Sequence, residues 1–140
     1  MKDWHDVLDV RDVIDRYGAG IDRRDWELVR SCFTPDCHAD YGRAGSWTTR
    51  DALVEGLTDM HRDVGPTLHR LTNHRVEVDG DVARASSYLD ALLQVEHRDH
   101  DLLHVVATYA DELVRTDNGW KIAARRIQTF LWRREDGAVS

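Results

Sequence analysis

Apolar residues fall at Val7, Val10, Val13, Ile14, Tyr17 and Ile21, in steps of three and four that place them along one face of an amphipathic helix with charges outside. Gly18 and Gly20 weaken its last turn. Asp25 then stands as the N-cap of a short second helix bearing Trp26, Leu28, Val29, Cys32 and Phe33, which the run Thr34-Pro35-Asp36 is expected to stop. A short strand over residues 37–41 and a glycine-containing loop come next. A third helix opens at Thr49 or Arg50 and carries Leu53, Val54, Leu57 and Met60 on one face. After Gly65-Pro66 the helical period gives way to β-branched alternation, which predicts extended segments over residues 67–78, 82–94, 102–115 and 120–132. Turns at Asp79-Gly80, residues 96–99 and residues 116–119 join them. Residues 133–140 read as a charged, frayed tail. Helices first and an antiparallel meander afterwards is an α+β order. The expectation is a single domain over residues 1–140, with three N-terminal helices packed against a curved, mostly antiparallel sheet that forms a cone around a pocket.

Composition narrows what such a pocket serves. A chain of 140 residues has no room for separate cofactor and substrate domains. Nineteen Lys+Arg against 26 Asp+Glu give a net charge of −7, so no basic surface dominates and nucleic acid is not an expected partner. The N-terminus lacks the basic start and apolar run of a signal peptide, and no stretch is apolar for long enough to span a bilayer, so no membrane partner is expected. Two cysteines, Cys32 and Cys37, make neither a disulfide scaffold nor a zinc site, and a reducing cytoplasm is the expected location. The informative excess is eight histidines. His97, His100 and His104 are spaced by three and four, but a turn and a strand intervene where a metal pair needs a helix face, so no metal site is read there.

The text Tyr17-Gly18-Ala19-Gly20-Ile21-Asp22-Arg23-Arg24-Asp25-Trp26, with His69-Arg70-Leu71-Thr72-Asn73, Gly119-Trp120-Lys121-Ile122 and Arg125 further on, resembles the SnoaL-like branch of the NTF2-like superfamily. The resemblance runs from about Val10 to Trp132 and implies the NTF2-like cone-shaped barrel. Within that superfamily the pattern is similar to scytalone dehydratase, the bile-acid dehydratases and hexachlorocyclohexane dehydrochlorinase, lyases that work without a cofactor. It implies an Asp-His dyad of Asp22 and His69, a polarising Tyr41, a second pocket histidine at His104 and a substrate-binding Arg125. The sequence departs from these patterns at Ile21, where scytalone dehydratase has a tyrosine, and in lacking a basic residue among Tyr17 to Ile21.

An aspartate accepting from one imidazole nitrogen fixes the tautomer and raises the basicity of the other, which makes a general base. Read alone, Asp22 is equally a helix-end acid paired with Arg23 or Arg24, and His69 a strand histidine; the resemblance pairs them. Alternation puts His104, Val106, Thr108 and Ala110 on one strand face and Leu103, Val105, Ala107 and Tyr109 on the other, both apolar enough to be internal. Arg125 and Arg126 point to opposite faces, and an internal salt bridge is as ordinary a role for Arg125 as substrate binding. Tyr41 and Asp40 pose the same choice: an inward tyrosine suits a dehydratase, an inward aspartate an isomerase. Asn73 and His74 are candidates for the pocket rim, with a strand kink as the alternative for Asn73. His5, His38, His61, His97 and His100 read as surface or structural residues, and Trp26, Trp120 and Trp132 as core or subunit contacts.

The expected function is a dehydratase acting on a cyclic or polyketide-like small molecule. Alternatives are a ketosteroid-isomerase-like isomerase or polyketide cyclase, and a non-catalytic ligand-binding or dioxygenase β-type subunit. Self-association as a dimer or trimer is expected through a sheet face, with Phe130, Leu131 and Trp132 supplying apolar surface.

Overall fold

The structure is a computed structural model that describes residues 2–95 and 101–135. Helix α1 (Trp4–Arg23) is capped by the Asp3 carboxylate, which accepts from the His5 and Asp6 backbone N–H groups. It buries Val7, Val10, Val13, Ile14, Tyr17 and Ile21. Each such side chain stabilises the fold by about 1.5–3 kcal/mol. That outweighs the helix penalty of the two glycines, about 1 kcal/mol each, so the helix runs through them to Arg23. The glycines instead allow close approach: a Cβ on Gly20 would lie 2.8 Å from Val29 Cγ2, and one on Gly18 would lie 3.3 Å from Leu71 Cδ1. Helix α2 (Trp26–Ser31) begins at the Asp25 cap, whose carboxylate accepts from the Leu28 N–H.

Strand β1 (Phe33–Asp40) starts earlier than its sequence suggests, since Thr34-Pro35-Asp36 lie inside it and do not break the chain. The short helix ends at Ser31 by its own length, and Pro35 is accommodated at a register irregularity between Phe33 and His38. A 3₁₀ turn (Gly42–Ala44) and a two-residue strand β2 (Ser46–Trp47), both unforeseen, lead into α3 (Arg50–His61), capped by Thr49.

Four long strands follow: β3 (Val64–Asp79), β4 (Val82–Val95), β5 (Leu102–Thr116) and β6 (Gly119–Glu135). Strand β6 continues to Glu135, where Leu102 pairs with Glu135 and Leu103 with Arg134, so residues 133–135 of the expected tail are strand. The turn at residues 96–99 lies outside the described residues, as do His97, His100 and residues 136–140. The six-stranded sheet has the order β2-β1-β6-β5-β4-β3. It is antiparallel except where β1 runs parallel to β6, matching Ala39 with Arg125. Its inner face packs on the helices. Register shifts between Thr72 and Arg75, Val106 and Ala107, and Glu112 and Leu113 bend the long strands. At the first of these Asn73 takes φ 53° and is exposed. The predicted cone of helices on a curved sheet is the observed architecture. Among the described residues no helix is long and apolar enough to cross a membrane.

Candidate active site

Two close approaches set the site. Asp22, the penultimate residue of α1, faces β3, and Gly18 one turn earlier lets the helix lie against the backbone of His69. Asp22 Oδ1 lies 2.7 Å from His69 Nδ1, and Asp22 Oδ2 accepts the His69 backbone N–H at 2.8 Å. Thr67 Oγ1 donates to Asp22 Oδ1 at 2.9 Å, and Arg24 donates to Thr67 Oγ1 at 2.9 Å and to the Ile21 and Gly65 carbonyls at 2.7 Å. Burial alone would raise the Asp22 carboxyl; the bonds from the His69 ring and backbone and from Thr67 outweigh it and hold Asp22 below its usual range. An ionised Asp22 requires the proton on Nδ1, which leaves Nε2 of His69 as the basic nitrogen.

His69 borders a cavity of about 300 Å³ between α1, α3 and the inner sheet face, walled by Leu57, Leu89, Ala91, Leu93, Leu103, Val105 and Ile127. At its rim the Arg43 guanidinium lies 4.7 Å over the half-exposed Trp132 ring. Tyr17, Tyr41 and Tyr109 supply phenols, with Tyr41 Oη donating to Tyr17 Oη at 2.9 Å. Burial, first among the causes, pushes all three phenols up, so they stay protonated and able to donate. Tyr41 is therefore the inward residue. Asp40 is exposed and accepts from the Gly42 N–H at 2.9 Å.

Four other candidate site residues lie elsewhere. His104 does not line the cavity: Leu103 and Val105 do, and strand alternation turns His104 to the outer face, 2.7 Å from Asp90 Oδ1. The bonds from His104 and Arg70 lower the Asp90 carboxyl. Asn73 is at the β3 kink and clear of the cavity, and His74 is buried beside Asp15 at 3.0 Å, away from the rim. Arg125 sits behind the cavity floor with no exposed side-chain surface. It forks onto Asp111 at 2.7 and 2.9 Å and stacks 4.4 Å from the Tyr17 ring and 4.3 Å from that of Tyr109. Burial opposes its charge and Asp111 overrides that.

The second cavity histidine is His61, which sequence reading assigned to the surface or scaffold. As the last residue of α3 it follows Leu53 and Leu57 at steps of four on the buried face, a spacing that could have found it. A larger, open hollow of about 800 Å³ lies on the outer sheet face, lined by charged residues including Arg75, Glu77, Arg84, Glu112 and Arg126. It contains neither Asp22 nor His69. Among the described residues no group of three or more His, Cys, Asp and Glu is placed to hold a metal ion.

The sequence profile of the SnoaL-like domain family matches residues 2–126. An uncharacterized protein of Mycobacterium tuberculosis is 29% identical over 130 residues, which is 92% of this chain and 88% of that protein. Among solved structures, a protein of Novosphingobium aromaticivorans assigned as an aromatic ring hydroxylase superposes with a TM-score of 0.85 at 23% identity, over 96% of this chain and 95% of that one. One from the same organism assigned as a scytalone dehydratase gives 0.80 at 23% identity, over 96% and 89%. Hexachlorocyclohexane dehydrochlorinase LinA-type3 from Novosphingobium barchaimii gives 0.81 at 18% identity, over 99% and 98%.

Proposed function

This chain belongs to the SnoaL-like domain family, and we propose that it is a lyase, a dehydratase for a cyclic or polyketide-like β-hydroxyketone. The observation that carries the reading is the 2.7 Å bond between Asp22 Oδ1 and His69 Nδ1 at the wall of an apolar cavity large enough for a small ring system. His69 Nε2 takes the proton from the carbon next to the carbonyl, and Asp22 stabilises the imidazolium that results. The phenol of Tyr17, whose oxygen accepts the hydrogen of Tyr41, donates its own to the carbonyl oxygen as it gains enolate charge. The enolate electrons then form the carbon–carbon double bond as the β-hydroxyl leaves, taking the proton back from His69 Nε2 and departing as water.

The names of two similar structures, a scytalone dehydratase assignment and a dehydrochlorinase, support elimination as the class. Tyr41 inward and Asp40 outward favour it over an isomerase with its base at that position. An apolar cavity lined by His69, the partner of Asp22, favours an enzyme over a structural subunit.

The test is a panel of cyclic β-hydroxyketones, with mass spectrometry following loss of water. At least one is dehydrated by the wild-type protein. His69→Ala lowers its turnover by roughly 10²–10⁴-fold, with an unchanged circular dichroism spectrum. Asp22→Asn falls in the same direction, and His104→Ala keeps the wild-type rate. Equal turnover by His69→Ala sinks the assignment; a product of unchanged mass with a migrated double bond makes the protein an isomerase.

A further inference from the structure

His61 ends α3 with its ring in the cavity wall, and the residue is only 8% exposed. Its Nδ1 lies 2.8 Å from the Leu57 carbonyl oxygen. A carbonyl only accepts, so Nδ1 must carry the proton and Nε2 the lone pair. That Nε2 is buried and has no hydrogen-bond partner among the described residues. Burial, opposed by the Leu57 bond and assisted by the nearby Arg24 charge, lowers the basicity of the ring and keeps it neutral. A buried acceptor with no donor is costly and uncommon. The His61 residue lines the same cavity as His69, and the two ring centroids are 6.3 Å apart.

We propose that His61 Nε2 accepts a hydrogen bond from a hydroxyl of the substrate, which makes the substrate class a hydroxylated ring ketone and not a halogenated or bare hydrocarbon. The inference rests on the lyase reading, in that it takes this cavity as the substrate site. The cavity's polar atoms divide accordingly. The phenol of Tyr17, which accepts from Tyr41, has its own hydrogen to donate and suits a carbonyl oxygen, whereas His61 Nε2 is an acceptor and suits a hydroxyl. A carbon–chlorine bond offers no donor and would leave Nε2 buried and unpaired. A hydroxyl that donates to His61 keeps its oxygen lone pairs open to the proton carried by His69. The bound hydroxyl keeps its own hydrogen, gains one and leaves as water, so His61 selects and orients the leaving group without titrating.

The probes are 1-tetralone and 4-hydroxy-1-tetralone, a matched pair whose hydroxyl is not β to the carbonyl and so does not eliminate. Calorimetry on the wild-type protein should show 4-hydroxy-1-tetralone binding about tenfold more tightly, as one net hydrogen bond gives. His61→Leu should erase that preference with little change for 1-tetralone. His61→Gln, which still presents a side-chain carbonyl, should restore part of it. In protein labelled with ¹⁵N-histidine, the His61 Nε2 resonance should move with the hydroxylated probe only, a readout that needs no variant to fold. An unchanged preference in His61→Leu, or no shift of that resonance, overturns the inference and leaves the dyad standing. Failure of both tetralones to bind removes the cavity as a site for ring ketones and the inference with it. Loss of dehydration in His69→Ala is read separately and bears on the base alone.

Discussion

At the scale of single residues, two imidazoles line the cavity, and their Nδ1 partners distinguish them. Asp22, a carboxylate, holds Nδ1 of His69; the Leu57 carbonyl, a neutral acceptor, holds Nδ1 of His61. Burial and the Arg24 charge press His61 toward neutrality against the bond to the Leu57 carbonyl. The stability of the protein therefore carries a signature of His61. Its folded pKa lies below the ordinary 6.5, so below that pH the unfolded chain binds the proton first. The contribution is complete above about pH 6.5 and is lost as pH falls toward the folded value. Asp22 and Asp90, both lowered from 3.8, act in a separate and more acidic window, where their stabilisation disappears as pH falls through their folded values. Urea denaturation of His61→Gln between pH 7 and pH 5 should show a shallower decline than wild type, and parallel curves would contradict the buried neutral ring.

At the scale of elements, the geometry of the dyad depends on how closely α1 approaches its neighbours. A Cβ on Gly20 would meet Val29 Cγ2 at 2.8 Å, the Val29 backbone N at 3.2 Å and the Asp25 carbonyl at 3.3 Å, so α2 would have to move. Gly20→Ala should cost about 1–3 kcal/mol as overpacking, more than the roughly 1 kcal/mol that alanine returns in helix propensity. Gly18 differs, because its nearest neighbour is the flexible end of Leu71 at 3.3 Å and the His69 backbone is 3.5 Å away. Gly18→Ala should be within about 1 kcal/mol of wild type, the propensity gain offsetting a small shift of Leu71. Thermal and urea unfolding of the two variants checks the contrast; equal losses would mean that α1 is not held by backbone approach at Gly20.

At the scale of the whole molecule, the sheet does two separate jobs on its two faces. The inner face carries the apolar cavity and, behind its floor, the fully buried Arg125–Asp111 pair under the Tyr17 and Tyr109 rings. The outer face carries exposed pairs such as Arg70–Asp90. Removing one partner of a buried pair leaves an uncompensated charge, whereas an exposed pair is screened by water. Asp111→Ala should therefore lose about 3–5 kcal/mol in urea denaturation, and Asp90→Ala no more than about 1 kcal/mol. Comparable losses would show that Arg125 reaches solvent on losing Asp111. The pair's position also explains why an arginine at the family's spacing is not a cavity residue here: Asp111, directly opposite on β5, binds it first.

Element types and the order of the fold were legible because they follow from local period: the stripe of α1, the Asp25 and Thr49 caps, and the alternation of four long strands. The pairing of Asp22 with His69 was legible through the resemblance. The side of a strand on which a residue stands was not. Alternation divides β5 into two apolar faces without saying which one encloses the cavity, and only the curvature of the sheet over the helices put Leu103 inside and His104 out. Nor does a local pattern report that two acids separated by chain reversal will claim a neighbour, as Asp111 claims Arg125 and Asp90 claims His104. The sequence by itself determined the helices and the strands, since each rests on spacing or pattern along the chain, and pointed to Asp22 and His69 only through the family resemblance. The tertiary structure decided which histidine joins His69 in the cavity, because that depends on burial and on partners that meet only when the sheet closes over α3.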